Sequence, residues 1–189
     1  MRLFTAVYPP AEAIDHLFSE VAGLRLSATA AAGTNVRLAD PGQAHVTLAF
    51  LGEVDPARLA AVRQALGLAA ATTRDSPPVL RLGGSGRFGW GRSTILWVDV
   101  RGEVDRLVEL AAAVRTGLTT IGIPSDDKPF RPHLTIARPG DRMPHADIEA
   151  DLAALDGYLG PSWPAGELVL VQTHPGPPPA YHRLATWPL

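Results

Sequence analysis

Two short stretches decide the reading of this chain: His45-Val46-Thr47-Leu48 and His133-Leu134-Thr135-Ile136. Both follow the pattern His-X-Thr-apolar, and they lie 88 residues apart in a chain of 189. Each falls in an apolar, β-prone run, residues 44–51 and 133–137. Alternate side chains of a strand share one face, so each His and the Thr two residues later point the same way. Two such strands facing each other would gather two imidazoles and two hydroxyls around one small anion. That set suits acid–base chemistry on a phosphate ester. A lone His-X-Thr is common by chance and usually marks a core or edge histidine, whereas two copies in matching halves call for a shared purpose.

The flanks of the two motifs repeat a β/α order. Residues 2–8 read as a strand stopped by Pro9-Pro10, and a helix follows from Pro10 to about Ala28, with Ile14, Leu17, Phe18, Val21 and Leu24 at helical spacing. A short extended piece at 36–38 precedes the first motif strand, which Gly52 ends. Asp55-Pro56 then starts a helix to about Thr72, an N-cap followed by proline at the first position. Residues 79–87 read as a strand entering a Gly-rich loop. The second half runs strand (94–100), helix (about 103–120), motif strand, and helix (about 144–155). Two closing strands, 167–173 and 181–187, lie across a Pro-rich loop at 175–179. Val104, Leu107, Val108, Leu110, Ala111, Val114 and Leu118 form the predicted apolar face of the 103–120 helix. No separate linker interrupts the pattern, so residues 1–189 are expected to form one α+β domain of two interlocked lobes.

Composition narrows the chemistry. A 46% hydrophobic and 19% charged chain is that of a folded globular protein. No apolar stretch approaches the ~18–20 residues that span a bilayer, and the N-terminus lacks a signal-peptide pattern, so a cytoplasmic protein without membrane attachment is expected. The absence of cysteine removes thiolate nucleophiles, thiolate metal sites and disulfides. A net charge of −2 disfavours a long groove that tracks polyphosphate. Lys128 is the sole lysine, so the cations are almost all arginines, whose planar fork suits phosphate oxygens.

Opening a five-membered cyclic phosphate requires water to lose a proton and the leaving oxygen to gain one, on opposite sides of phosphorus. Two histidines can divide that work, one neutral and one protonated, because their ordinary pKa lies near neutrality. The two threonine hydroxyls can donate to non-bridging oxygens.

The sequence resembles the two-histidine (2H) phosphoesterases, in particular the RNA 2′,3′-cyclic phosphodiesterase branch, also called 2′-5′ RNA ligase-like. The resemblance rests on the opening 1–6 followed by prolines, on His45 through Gly52, on Phe130 through Arg138, and on the tail from Leu168 to Leu189. It implies a bilobal α+β fold with pseudo-two-fold duplication: two antiparallel sheets flank a central cleft, with helices outside. It implies hydrolysis of a 2′,3′-cyclic phosphate at an RNA end to a 2′-phosphate, with no metal and no cofactor, and with weak reversible 2′-5′ ligation in the test tube; a monomer is expected because the cleft needs only one chain. By family order His45 would be the proton donor and His133 the proton acceptor; the motifs alone leave that assignment open. Thr47, Thr135 and Arg138 would bind the phosphate, and Phe50 would stack on the terminal base. In a regular strand, residues five apart face opposite ways, so Phe50 and Arg138 need a bulge or bend to join their histidines. Without one, Phe50 would be a core neighbour of Val46 and Leu48, and Arg138 a solvated strand-end charge.

Two other functions share the same residues. One keeps the chemistry but takes a small cyclic nucleotide or ADP-ribose cyclic phosphate; the other is a non-catalytic module that binds nucleotides or RNA ends. His16 and His145 read as surface residues, and His174 and His182 as flanks of a solvated Pro-rich loop. Neither motif has the third ligand that a metal site would want. Gly83-Gly84-Ser85-Gly86-Arg87 lacks the Gly-Lys-Ser/Thr of a nucleotide-binding loop. Arg87, Phe88 and Arg92 are placed at the cleft edge, and Trp90 and Trp97 as packing residues.

Overall fold

The alternation of the first motif continues into a strand, β3 (Val46–Glu53), and the second into β7 (His133–Arg138). In both, the residues between His and Thr and just after Thr are buried: Val46 and Leu48, Leu134 and Ile136. The computed structural model describes residues 1–73, 76–124, 129–176 and 179–189. Lys128 and part of the Pro-rich loop lie outside them.

The remaining strands are β1 (Arg2–Val7), β2 (Arg37–Leu38), β4 (Val79–Leu82), β5 (Gly86–Phe88), β6 (Ile95–Gly102), β8 (Trp163–Pro164), β9 (Glu167–His174) and β10 (Ala180–Pro188). They pair antiparallel in the order β10-β9-β1-β3-β7-β6-β4-β8, with β2 joined to β7 and β5 to β6. The two expected sheets are therefore halves of one path. They meet at β3 and β7 through a single register pair, Val46 opposite Leu134.

Among the described residues five α-helices accompany the strands: α1 (Ala11–Ala22), α2 (Arg25–Ala31), α3 (Leu59–Ala71), α4 (Val104–Thr120) and α5 (His145–Asp156). Leu107, Leu110, Ala111, Val114 and Leu118 of α4 are buried as the spacing predicts, but Val108 is 39% exposed, just beyond the edge of the stripe. The predicted helix from Pro10 to Ala28 is two helices. Gly23 closes α1 and the extended Leu24 restarts the chain. The first amides of α2 are capped from elsewhere in the chain: Arg25 N–H and Leu26 N–H donate to the buried carboxylate of Asp151 on α5, each at 2.9 Å. No local pattern reveals a cap that arrives from 125 residues away. The Asp55 side chain accepts from Ala57 N–H as foreseen, although a 3₁₀ turn (Pro56–Arg58) intervenes before α3. The predicted strand 79–87 is likewise split into β4 and β5. No helix among the described residues is long and apolar enough to cross a membrane.

The burial pattern separates two faces. Val46, Leu48, Leu134 and Ile136 join the main core with the apolar stripes of the helices. Phe4, Ala6, Val169 and Val171 form a second, smaller cluster flanked by Tyr8 and Tyr181. That smaller cluster lies beside His45.

Candidate active site

With Val46 opposite Leu134, one step in either direction of the antiparallel register sets His45 opposite Thr135 and Thr47 opposite His133. All four side chains are half-buried and occupy the face away from the main core. Each imidazole is therefore crossed with the other motif's hydroxyl, an arrangement that follows from two like strands running antiparallel.

Both rings are tethered alike. His45 Nδ1 donates to the carbonyl of Gln43 and His133 Nδ1 to that of Arg131, each at 2.7 Å. A carbonyl can only accept, so the proton resides on Nδ1 and Nε2 is left free in both rings. A free Nε2 is a base when neutral and an acid when protonated.

The walls around the rings differ. Phe4 stacks on His45 with centroids 4.8 Å apart, Tyr181 meets it edge-on at 5.3 Å, and Tyr8 lies at 5.6 Å. Arg183 covers the Tyr8 ring at 4.0 Å. His133 is met edge-on by Phe88 at 4.9 Å and at a tilt by Trp97 at 5.8 Å, and Arg131 lies 4.3 Å over the Trp97 ring. Asp99 is the direct cross-strand partner of His133. Burial pushes His45 below the ordinary histidine value, the bond to Gln43 opposes that, and the second imidazole adds to it. Burial also lowers His133, against the bond to Arg131; the Arg131 and Arg138 guanidiniums deepen the fall and Asp99 resists it.

The geometric objection to Phe50 and Arg138 is removed by two matching bulges. Between β1 and β3 the register slips after Ala6↔Thr47, and the next pair is Thr5↔Ala49, so Leu48 is an extra residue. Between β6 and β7 it slips from Trp97↔Thr135 to Leu96↔Ala137, so Ile136 is extra. Each bulge sits three residues after its histidine and reverses the alternation beyond it. Leu48 and Ala49 are both buried, as are Ile136 and Ala137. Phe50 thus stands opposite Phe4, 6.2 Å from it and 61% exposed. Arg138 is exposed on the side of His133.

Two placements differ from expectation. Trp97 is buried, but Trp90 is 68% exposed, with Arg87 3.5 Å over its ring and His145 stacked 5.7 Å away. Arg87 is not at the cleft: it pairs with Glu149 of α5, because its neighbours Gly86 and Phe88 take the opposite face. Arg92 pairs with Asp141. Phe88 alone of that trio reaches a histidine. Phe4, Tyr8, Tyr181, Asp99 and Arg131 are neighbours of the histidines that the two motifs do not single out. The period of two in Phe4-x-Ala6-x-Tyr8 was the available signal. Among the described residues no group of three or more His, Cys, Asp or Glu stands together.

Gly86 lies directly opposite Trp97, and a Cβ there would overlap the indole ring. Gly86→Ala should therefore cost about 1–3 kcal/mol by overpacking and displace the ring that flanks His133. An unchanged denaturation midpoint with full activity would show that Trp97 has room to retreat.

The open face of an antiparallel sheet thus carries two crossed, identically tethered histidines. The chain belongs to the 2′-5′ RNA ligase superfamily, whose family model matches residues 11–177. It is 35% identical over 148 residues to the RNA 2′,3′-cyclic phosphodiesterase of Geobacillus stearothermophilus, covering 77% of this chain and 45% of that one. It is 31% identical over 188 residues to the protein of the same name from Thermus thermophilus, covering 92% and 82%. The chain thus spans less than half of the Geobacillus protein. The crystal structure of the Thermus thermophilus protein TT0787 superposes with a TM-score of 0.75 at 29% identity, covering 100% of this chain and 98% of that one.

Proposed function

We propose that this chain hydrolyses 2′,3′-cyclic phosphate ends of RNA to 2′-phosphomonoesters, using no metal or cofactor. The observation that carries the reading is the pair of free Nε2 atoms, each fixed by an Nδ1–H bond to a backbone carbonyl two residues earlier. Both relatives described above bear the name of this activity. The whole chain acts as one domain, each half supplying one motif strand, and a single copy holds both histidines.

In the reaction, neutral His133 takes a proton from water through Nε2 while the water oxygen attacks phosphorus. The bond from phosphorus to the 3′ oxygen breaks, and protonated His45 gives its Nε2 proton to that oxygen. Thr47, Thr135 and Arg138 hold the non-bridging oxygens, and Phe50 stacks on the terminal base. The Arg131 and Arg138 guanidiniums support a neutral His133, with Asp99 opposing them, whereas the charge interaction that lowers His45 is that with the other imidazole. An incoming anionic phosphate raises both and so favours the protonated form that the acid needs. Exchange with solvent resets the pair.

The test is product analysis. A short RNA ending in a cyclic phosphate should yield the 2′-phosphate, in the presence of chelator, with wild-type protein and not with His45→Ala. A 3′-phosphate product, or binding without turnover, would overturn the reading; faster turnover of a free cyclic nucleotide would favour a small-molecule substrate.

The pH dependence follows in sign. Both histidines titrate below the ordinary value of about 6.5 in the free protein, and activity needs one protonated and one neutral. The bell-shaped profile of kcat/KM should have its alkaline limb below pH ~6.5, as the acid loses its proton there. The limb of kcat should lie at higher pH, because bound phosphate favours the imidazolium. A kcat/KM optimum well above neutrality would contradict the assignment.

A further inference from the structure

The strand β2 has only two residues, and one of them, Arg37, stands in direct register with Arg138. Leu38 opposite Ala137 and a 2.8 Å bond from Ala39 N–H to the Ile136 carbonyl lock β2 onto the bulged end of β7. Directly opposite residues of an antiparallel pair share a face, with Cβ atoms about 4.5–5.5 Å apart. Arg138 shares the face of His133 and Thr135, so Arg37 does as well.

Both guanidiniums are exposed, and among the described residues neither forms an ion pair. Among the described residues Arg25, Arg87, Arg92, Arg101, Arg106 and Arg142 do pair with a carboxylate. Acids are not scarce in a chain of net charge −2. Like charges directly opposite in a ladder destabilise it, and an anion brought by a ligand would offset that cost.

One phosphate does not account for both cations. A cyclic phosphate carries one negative charge, and in the reading above it already meets protonated His45, two hydroxyls and Arg138. Resting on that reading, we infer that Arg37 holds a second phosphate of the same strand, the diester that precedes the terminal nucleotide. The preferred substrate class is then an oligonucleotide end rather than a mononucleotide, and Arg37 is a residue that sets this preference.

The experiment compares kcat/KM for a trinucleotide ending in a 2′,3′-cyclic phosphate with that for a 2′,3′-cyclic mononucleotide. Arg37→Ala should lower the ratio of the two by about tenfold, the usual scale for losing a charged hydrogen-bond donor, and Arg37→Lys should restore part of it. The slope of log kcat/KM against log salt for the trinucleotide should flatten by about 0.7, the value for one phosphate on a single strand. An unchanged ratio, or a salt slope equal to wild type, would overturn the subsite. Absence of turnover of either substrate by the wild type would instead overturn the phosphodiesterase reading. In that case the affinity of a 2′-phosphorylated trinucleotide for wild type against Arg37→Ala still decides the subsite, with equal affinities counting against it.

Discussion

With His133 replaced by alanine, kcat on a cyclic-phosphate RNA end should fall about 10²–10⁴-fold, the range for loss of a positioned acid or base. The reason is geometric as much as chemical. Thr47 is placed across one strand from His133 by register, Asp99 across the other is paired with Arg101, and Nδ1 is committed to the Arg131 carbonyl, so Nε2 is the ring nitrogen left to take the water proton. His45→Ala should lose a comparable factor on an RNA end. The two variants should separate on a phosphodiester whose leaving group is a weakly basic phenol. Such a group departs without a proton, so the His45→Ala defect should shrink while the His133→Ala defect persists. The double variant should lie close to the worse single one, because acid and base act in one step and their losses do not add. Full activity in His133→Ala would sink the mechanism, and a reversed pattern on the phenolic substrate would exchange the two roles.

The second large effect belongs to Arg138. Its guanidinium lies beyond the Ile136 bulge on the side of His133, where the proposed reaction would build charge on the phosphoryl oxygens. Loss of one such donor commonly costs about 10²-fold or more in kcat, so Arg138→Ala should lower kcat by that order with a smaller change in KM. Arg138→Lys should recover little, because an ammonium cannot present two parallel donors. Phe50→Ala makes the contrast. A base stacked on an aromatic ring is worth about 1–3 kcal/mol, equally in ground and transition state, so this variant should raise KM about tenfold and spare kcat. If Arg138→Ala changed KM alone, the arginine would be binding substrate rather than the transition state.

Much of this was legible before the fold was known. The alternation around His45 and His133, the apolar stripe of α4, the helix start at Asp55-Pro56 and the closing strands β9 and β10 all depend on neighbours a few positions apart. Their physics is local, so their pattern is written in consecutive residues. The break between α1 and α2 was missed because the apolar spacing carries straight across Gly23, while the capping carboxylate of Asp151 comes from another helix. Val108 was misplaced for a similar reason: periodicity locates a stripe, but the facing elements set its width. Trp90 was misjudged because indole size suggests a core residue, and only the hairpin between β5 and β6 leaves it in solvent beside Arg87 and His145.

By itself the sequence determined which residues could do acid–base chemistry and that two strands would carry them, since residue type and period-two alternation are properties of the chain. Only the tertiary structure decided how they are used. Register set each histidine against the other motif's threonine. Paired bulges at Leu48 and Ile136 turned Phe50 and Arg138 to the same face, and a two-residue strand set Arg37 beside Arg138. Different walls, Phe4, Tyr8 and Tyr181 around His45 and Phe88, Trp97, Arg131 and Asp99 around His133, gave two like motifs unequal environments. These are relations between residues far apart in sequence, fixed by hydrogen bonds across strands and by packing, and no single stretch of chain contains them.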